Sequence, residues 1–220
     1  MPNNSPPVAP RRRRRHDPLE TEREILQAGE QLLREAPLRD ITVQQIMLRT
    51  GLKRPAFYAH FRDRHDLLLR LVAHIGDELF QMADRWLAGG ERGGDMRAAL
   101  EGVVAVYADH GHVLRAVVDA APADARVESA YRALVLSFIE AVAEHIRSEQ
   151  AAGGISRALD AQEIARALVW LNERYLTEAF GRGAHEDPSR VIAVLHHIWL
   201  ATLYGADGSG APSRLNSGGS

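Results

Sequence analysis

The sequence predicts an all-α protein of about nine helices, and three observations support this fold class. Apolar side chains recur at steps of three and four residues through most of the chain, which places them on one face of a helix. Proline and glycine fall between these segments, and a capping residue stands where several of them begin. No window shows the alternation of apolar and polar residues, bounded by hairpin turns, that indicates strands.

Caps and breaks place the helices along the chain. Thr42 with Gln45 three residues later has the pattern of a capping box. Gly51 ends the short helix that follows, and Pro55 lies in the first turn of the next one, where a missing N–H does no harm. The predicted helices span residues 19–36, 43–50, 54–61, 64–87, 95–109, 112–121, 124–152, 161–180 and 188–204.

Composition excludes several classes of protein. The chain has no cysteine, which excludes disulfides and thiolate chemistry. The five arginines at residues 11–15 are not followed by the apolar segment of a secretory signal. No apolar run approaches the roughly 20 residues of a membrane-spanning helix. We therefore expect a soluble, cytoplasmic protein that does not contact a membrane.

The formal net charge of −2 is distributed unevenly. Residues 1–72 carry 14 basic and 9 acidic side chains, a net charge of +5, whereas residues 73–220 carry 13 and 20, a net charge of −7. A basic head on an acidic body is typical of a nucleic-acid-binding module joined to a domain with another task.

The segment TGLKRPAFYAHF, residues 50–61, combines basic and aromatic side chains on a short helix. The capped helix before it, the turn at the glycine and this second helix form a helix-turn-helix, whose second helix enters the major groove of DNA. Lys53 and Arg54 suit phosphate oxygens, and Tyr58 and His60 are predicted to project toward the DNA.

Phe57 and Phe61 lie four residues apart and are predicted to pack on the helices before and after this one. A surface helix with ordinary aromatic residues is the alternative. The capped helix upstream, the capped long helix downstream and the basic N-terminal segment favour DNA binding.

Residues 1–17 are rich in proline, asparagine and arginine and are predicted to form a disordered basic arm. Arg13, Arg14 and Arg15 come shortly before the first helix, so we expect the arm to enter the minor groove or neutralise phosphates. A solvated charge run is the alternative. The Gly/Ser-rich residues 206–220 are also predicted to be disordered.

Residues 20–72 resemble the DNA-binding domain of TetR-family transcriptional repressors. The stretches that carry the resemblance are DITVQQI, GLKRPAFYAHF and RDRHDLL. Lys53 departs from the family pattern because a capping Ser or Thr is usual there, and Ala56 stands where Thr or Ser is common. The resemblance implies the following DNA-facing residues: Thr42, Gln44, Lys53, Arg54, Ala56, Tyr58, His60 and Arg64.

The acidic body shows no catalytic motif and no phosphate-binding loop, and its histidine pairs lack the i, i+4 spacing of a helical metal site. We expect no metal and no cofactor. Aromatic residues are frequent on its predicted inner faces, and they suit either a plain core or an apolar ligand site. Asn172 is the polar exception among them, since a buried amide must find hydrogen bonds.

The C-terminal stretch LNERYLTEAF…VIAVLHHIWLATLYG resembles a mycobacterial subgroup of the same family. This resemblance implies a tunnel-like hydrophobic pocket with Asn172 as its polar anchor; a second asparagine of the subgroup is replaced by Val169. It implies a lining by Met96, Leu100, Val103, Tyr107, Tyr131, Val135, Phe138, Val142, Val169, Asn172, Tyr175 and Trp199.

The last predicted helix, residues 188–204, is too apolar to pack on one neighbour only. Paired with a second copy, the last two helices would build a four-helix interface between subunits. A buried terminal helix in a monomer is the alternative.

Together these features predict a homodimeric repressor that binds a palindromic double-stranded DNA operator and is not an enzyme. Residues 18–65 are expected to form the DNA-binding domain, and residues 66–205 the ligand-binding and dimerisation domain. An apolar small molecule is expected to release the operator. Two alternatives stay open: a DNA-binding regulator without small-molecule input, and an all-helical enzyme or carrier.

Overall fold

A computed structural model describes residues 17–89, 92–182 and 186–205 of the chain. Eight α-helices make up nearly all of these residues, so the predicted all-α fold is confirmed. They are α1 (Pro18–Glu35), α2 (Val43–Thr50), α3 (Arg54–His60), α4 (Arg64–Leu87), α5 (Arg92–Ala120), α6 (Ala125–Ala151), α7 (Ala161–Phe180) and α8 (Pro188–Tyr204). The predicted arm, apart from Asp17, and the predicted tail of residues 206–220 lie outside the described residues.

The predicted caps form at the starts of the helices. In α2 the Gln45 N–H donates to Thr42 Oγ1 at 3.2 Å, and the Thr42 N–H donates to Gln45 Oε1 at 2.7 Å. At α4 the Asp66 N–H donates to Asp63 Oδ1 at 2.9 Å. Each such cap satisfies an N–H that the helix itself leaves unpaired, which stabilises the helix by about 1 kcal/mol.

The N-terminal part of the structure, α1 to α3 with the start of α4, is called the head here, and the remaining helices are called the body. Helix α3 is held in the head by its apolar face. Phe57 and Phe61 are almost completely buried, as predicted, and their ring centroids are 5.4 Å apart. Gly51 precedes α3 with φ of +68°, a left-handed conformation that turns the chain sharply after α2. The phenylalanines and the glycine turn together fix how α3 is presented.

Helix α4 belongs to both parts of the molecule. At its start, Leu67 and Leu68 are buried in the head, and Gly29 of α1 lies so close that a Cβ there would be 2.7 Å from Leu67 Cδ2. At its other end, Leu79 and Trp86 are buried in the body. One uninterrupted helix therefore joins the two.

The predicted break between residues 109 and 112 is wrong, because α5 runs continuously from Arg92 to Ala120. Gly111, which falls in the predicted break, lies inside this helix and faces the end of α7. A Cβ at Gly111 would lie 2.6 Å from the carbonyl oxygen of Phe180. Glycine is needed here for the close approach of two helices and not for a turn.

We expect Gly111→Ala to destabilise the fold by about 1–3 kcal/mol, because a methyl group would collide with backbone atoms that cannot rotate away. In an open helix the same change would stabilise the protein by about 1 kcal/mol. The control is Gly76→Ala in α4, where a Cβ would meet only the end of the flexible side chain of Leu134. Urea unfolding of both variants measures the difference, and a Gly111→Ala protein as stable as the wild type would contradict the tight crossing.

Candidate DNA-binding face and ligand cavity

Five of the predicted DNA-facing side chains share the exposed surface of the head, and Thr42 is one of them. Gln44, Lys53, Arg54 and Tyr58 are all exposed, and Gln44 and Arg54 border one shallow groove between α2 and α3. Arg54 Nη2 donates to the Tyr58 hydroxyl at 3.1 Å, and its guanidinium carbon lies 5.6 Å from the centre of the Tyr58 ring. The pair presents a positive charge and an aromatic edge at the same place on α3.

The two N-cap residues of this surface differ in chemistry. The exposed Thr42 uses its hydroxyl in the capping box, where Oγ1 lies 2.8 Å from Gln45 Oε1. Lys53 caps α3 by position only, since its side chain makes no capping hydrogen bond. The departure from the family pattern at Lys53 thus leaves the first turn of α3 without a side-chain cap.

His60 and Ala56 lie differently from the expected outward position. The His60 side chain is only 16 % exposed, and its Nδ1 lies 3.9 Å from Glu22 Oε2 of α1. It follows Phe57 by three residues, so the turn of the helix brings it to the inner side. Ala56 is half-buried against the core.

Arg64 is also engaged within the head. Its Nη1 donates to the carbonyl oxygens of Leu38, Arg39 and Ile41 at 3.1, 2.9 and 2.7 Å. These bonds tie the short 3-10 turn Leu38–Asp40 to the start of α4. In this conformation Arg64 orients the loop before α2, and a contact of this residue with DNA stays a prediction.

A largely apolar cavity of about 110 Å³ lies between the helices of the body. All the predicted lining residues except Tyr175 border it, including Asn172 and Trp199. Tyr175 is 38 % exposed because α7 turns Val169, Asn172 and Leu176 inward at helical spacing and Tyr175 away.

Sequence reasoning did not assign one wall of this cavity. Five residues of α4 border it: Val72, Leu79, Ala83, Trp86 and Leu87. The seven-residue spacing of Leu79 and Trp86 indicated an inward face of α4, but it did not show whether that face meets a packed neighbour or a cavity.

Polar groups in the cavity come mainly from α7. Asn172 Oδ1 accepts a hydrogen bond from Trp199 Nε1 at 3.0 Å, so part of the hydrogen-bonding capacity of this amide is met within the protein. The next residue, Glu173, accepts a hydrogen bond from the buried Thr177 hydroxyl at 3.1 Å. Burial raises the pKa of the Tyr107 and Tyr131 hydroxyls, and the negative charge of Glu173 raises both further.

The head is also tied to the body by charged side chains. His110 Nδ1 of α5 lies 2.6 Å from Glu30 Oε1 of α1, and Arg126 Nη2 of α6 donates to Asp63 Oδ2 at 2.9 Å. The nearby His112, whose Nε2 lies 3.5 Å from Glu30 Oε1, is the main cause that lowers the pKa of Glu30, against the opposing effect of burial. Across residues 17–89, 92–182 and 186–205, no three His, Cys, Asp or Glu side chains are arranged to hold a metal ion.

The head therefore has the architecture of a DNA-binding helix-turn-helix, and the body that of a helical domain with an internal cavity. Residues 25–71 match the family model of bacterial regulatory proteins of the TetR family. Residues 96–205 match the model of the C-terminal domain of the transcriptional regulator EthR.

Individual relatives agree with these matches. The chain is 32 % identical over 205 residues to the transcriptional regulator EthR of Mycobacterium tuberculosis, with 89 % of this chain and 94 % of that protein covered. It is 29 % identical over 210 residues to EthR of Mycolicibacterium smegmatis, with 89 % and 93 % covered. A TetR-family regulator structure from Rhodococcus superposes with a TM-score of 0.67 at 20 % identity, covering 81 % of this chain and 98 % of that one.

The chain belongs to the TetR family of transcriptional regulators, in which it is EthR-like. The resemblance inferred from residues 20–72 and from the C-terminal stretch is thereby confirmed, as is the prediction of a regulator that is not an enzyme. DNA binding through the helix-turn-helix domain follows from the same membership. In the part of the chain that the structure describes, no helix has the length and apolar character needed to cross a membrane.

We expect Lys53→Ser to change stability and DNA affinity in opposite directions. A serine can cap α3, which stabilises the fold by about 1 kcal/mol, whereas loss of the exposed ammonium would remove the phosphate contact predicted for Lys53. Lys53→Ala is the control, because it removes the charge and adds no cap. Thermal unfolding measures the change in stability, and fluorescence anisotropy on a duplex selected from a random pool measures the change in DNA affinity. Unchanged DNA affinity in both variants would show that Lys53 is not part of the DNA-binding face.

Proposed function

We propose that this protein is a homodimeric repressor that binds a two-fold symmetric operator and is released from it by a small apolar molecule in the cavity of the body. One observation carries the proposal. Helix α4 lines the cavity with Leu79, Ala83 and Trp86 and buries Leu67 and Leu68 in the head. A change in the cavity wall therefore reaches the DNA-binding helices through one rigid element.

The proposed DNA contacts are made by the exposed side chains of α2 and α3. Arg54 and Tyr58 are coupled by their hydrogen bond and are both exposed, whereas Phe57 between them is buried. Lys53 and Gln44 flank them. The N-terminal arginines are proposed to add contacts with phosphates or the minor groove. A repressor of this kind acts in the cytoplasm, where its DNA is located.

Exposed apolar side chains on α7 and α8 support a dimer. Trp170, Leu171 and Tyr175 on α7 and Val194 on α8 are each 36–41 % exposed. Large exposed apolar side chains can mark a surface that contacts another protein. A two-fold interface through α7 and α8 would cover them and hold two heads for the two halves of an operator.

The size of the cavity limits the ligand. Its volume of about 110 Å³ is below the roughly 300–1,000 Å³ of pockets for drug-sized molecules. A larger ligand would have to displace side chains. Phe138 is the first candidate for such movement, since it lines the cavity and stacks on Phe80 with ring centroids 3.9 Å apart.

The proposed mechanism is a shift between two populations of the same dimer. A ligand favours the state whose cavity it fits better, and its effect cannot exceed the difference in its affinity for the two states. Ligand and operator then weaken each other's binding by the same factor. In one state α4 holds the heads at the spacing of successive major grooves, and in the other it does not.

The small cavity also favours a second candidate function, a DNA-binding regulator without small-molecule input. In that case the residues around Asn172 form a core with a packing defect, and Trp199 is the hydrogen-bond partner of its amide oxygen. The two functions differ in whether any small molecule changes operator affinity.

For the dimer, we expect Val194→Arg to give a folded monomer, because an arginine at a two-fold interface faces its own symmetry mate. Operator affinity should fall by orders of magnitude, since one head then binds without the other. Leu136→Arg, at a 53 % exposed position of α6, is the matched control and should leave both properties unchanged. Analytical ultracentrifugation and anisotropy are the measurements; a dimeric Val194→Arg protein would show that the interface lies elsewhere.

For the ligand response, we expect Val103→Phe to keep operator binding and lose release, because a phenyl ring would fill part of the cavity. Leu136→Phe on the outer face of α6 is the control and should respond like the wild type. A duplex selected from a random pool is titrated in the presence of small apolar molecules. If no such molecule changes the operator affinity of the wild type, the second candidate function replaces the first.

A further inference from the structure

We propose that the cavity takes a lipophilic amine, whose ammonium group pairs with the carboxylate of Glu173. The inference deepens the proposed function, on which it rests, by naming the chemical class of the ligand. It concerns a residue of α7 that the sequence did not mark as part of the ligand site.

Glu173 is a carboxylate without a cation. It borders the cavity, and it accepts a hydrogen bond from a neutral hydroxyl group, that of Thr177, at 3.1 Å. Within the described ranges it forms no ion pair with an arginine, lysine or histidine. The adjacent Arg174 instead lies 3.0 Å from Glu178 on the outer face of α7.

An unpaired carboxylate on an apolar wall has a cost in free energy. Glu173 is half-buried, and taking an ionised group partly out of water is unfavourable unless another charge or several hydrogen bonds compensate. The Thr177 hydroxyl compensates in part. A ligand ammonium would supply the missing opposite charge, with three N–H donors for carboxylate and hydroxyl oxygens.

The surrounding aromatic rings suit the same charge. Tyr107, Tyr131 and Trp199 line the cavity, and the faces of such rings attract organic cations. The Tyr107 and Tyr131 hydroxyls have raised pKa values, first through burial and then through the charge of Glu173, so they stay neutral beside it. An anionic ligand, by contrast, would be repelled by Glu173.

The apolar lining selects the remainder of the ligand. Alkyl or small aromatic groups match the Leu, Val and Met side chains around Phe138. The volume of about 110 Å³ suits a short chain. A primary amine remains protonated at pH 7, as the lysine side chain does. The site therefore fits a monocationic amphiphile of a few carbon atoms.

The test compares three probes of the same length, n-hexylamine, 1-hexanol and hexanoate, by titration calorimetry at constant ionic strength. We expect the wild-type dimer to bind n-hexylamine about tenfold or more tighter than 1-hexanol, from the strength of charge-assisted hydrogen bonds. Hexanoate should bind weakest. Glu173→Gln should abolish the preference for the amine, because the amide keeps the acceptor for Thr177 and loses the charge.

Glu163→Gln is the matched control, since it makes the same change in an exposed side chain of the first turn of α7 and should keep the preference. Circular dichroism of each variant establishes that it is folded. Equal affinity of the wild type for amine and alcohol, a preference that persists in Glu173→Gln, or no binding of n-hexylamine would overturn the inference.

Operator affinity measured in the same samples separates this inference from the proposed function. Release of the operator by 1-hexanol as readily as by n-hexylamine would overturn the amine site and leave the ligand-responsive repressor standing. Selective amine binding without any change in operator affinity would support the site and remove the proposed release.

Discussion

The continuity of α4 is the physical constraint on which the rest of this structure depends. Its first turns pack Leu67 and Leu68 into the head, and its last turns bring Trp86 to the cavity wall. An α-helix of 24 residues is about 36 Å long and does not bend easily without a proline or another defect. Movement at one end is therefore transmitted to the other, and a regulator can use this only if both ends are firmly packed.

Firm packing comes from close contacts between the helices of the head and of the body. Gly29 lets α1 approach Leu67, and Gly111 lets α5 approach the end of α7. Charged pairs add to this, since Glu30 of α1 meets His110 of α5 and Asp63 at the start of α4 meets Arg126 of α6. The head is thus connected to the body at several points, and a change in its position requires these contacts to rearrange together.

The cavity, by contrast, is a place where packing and electrostatics are incomplete. A gap of about 110 Å³ forgoes contacts that a filled core would have, and a carboxylate without a cation on its wall adds a further cost. Folded proteins tolerate such features mostly where they serve function. The DNA-binding face has no comparable defect, because Phe57 and Phe61 are fully packed behind it and only its charged and aromatic side chains remain exposed.

The sequence by itself determined most helix boundaries and the family, because these depend on residues near one another in the chain. A cap such as Thr42 with Gln45 and a turn at Gly51 act over three or four residues, and the helix-turn-helix is a local pattern. Tertiary structure decided what depends on distant partners. The segment with Gly111 reads as a break until the end of α7, some seventy residues later, is seen beside it. His60 turns toward α1, Arg64 reaches the carbonyl groups before α2, and Glu173 faces the cavity, since the side on which a helix meets its neighbours is settled only when the helices pack together.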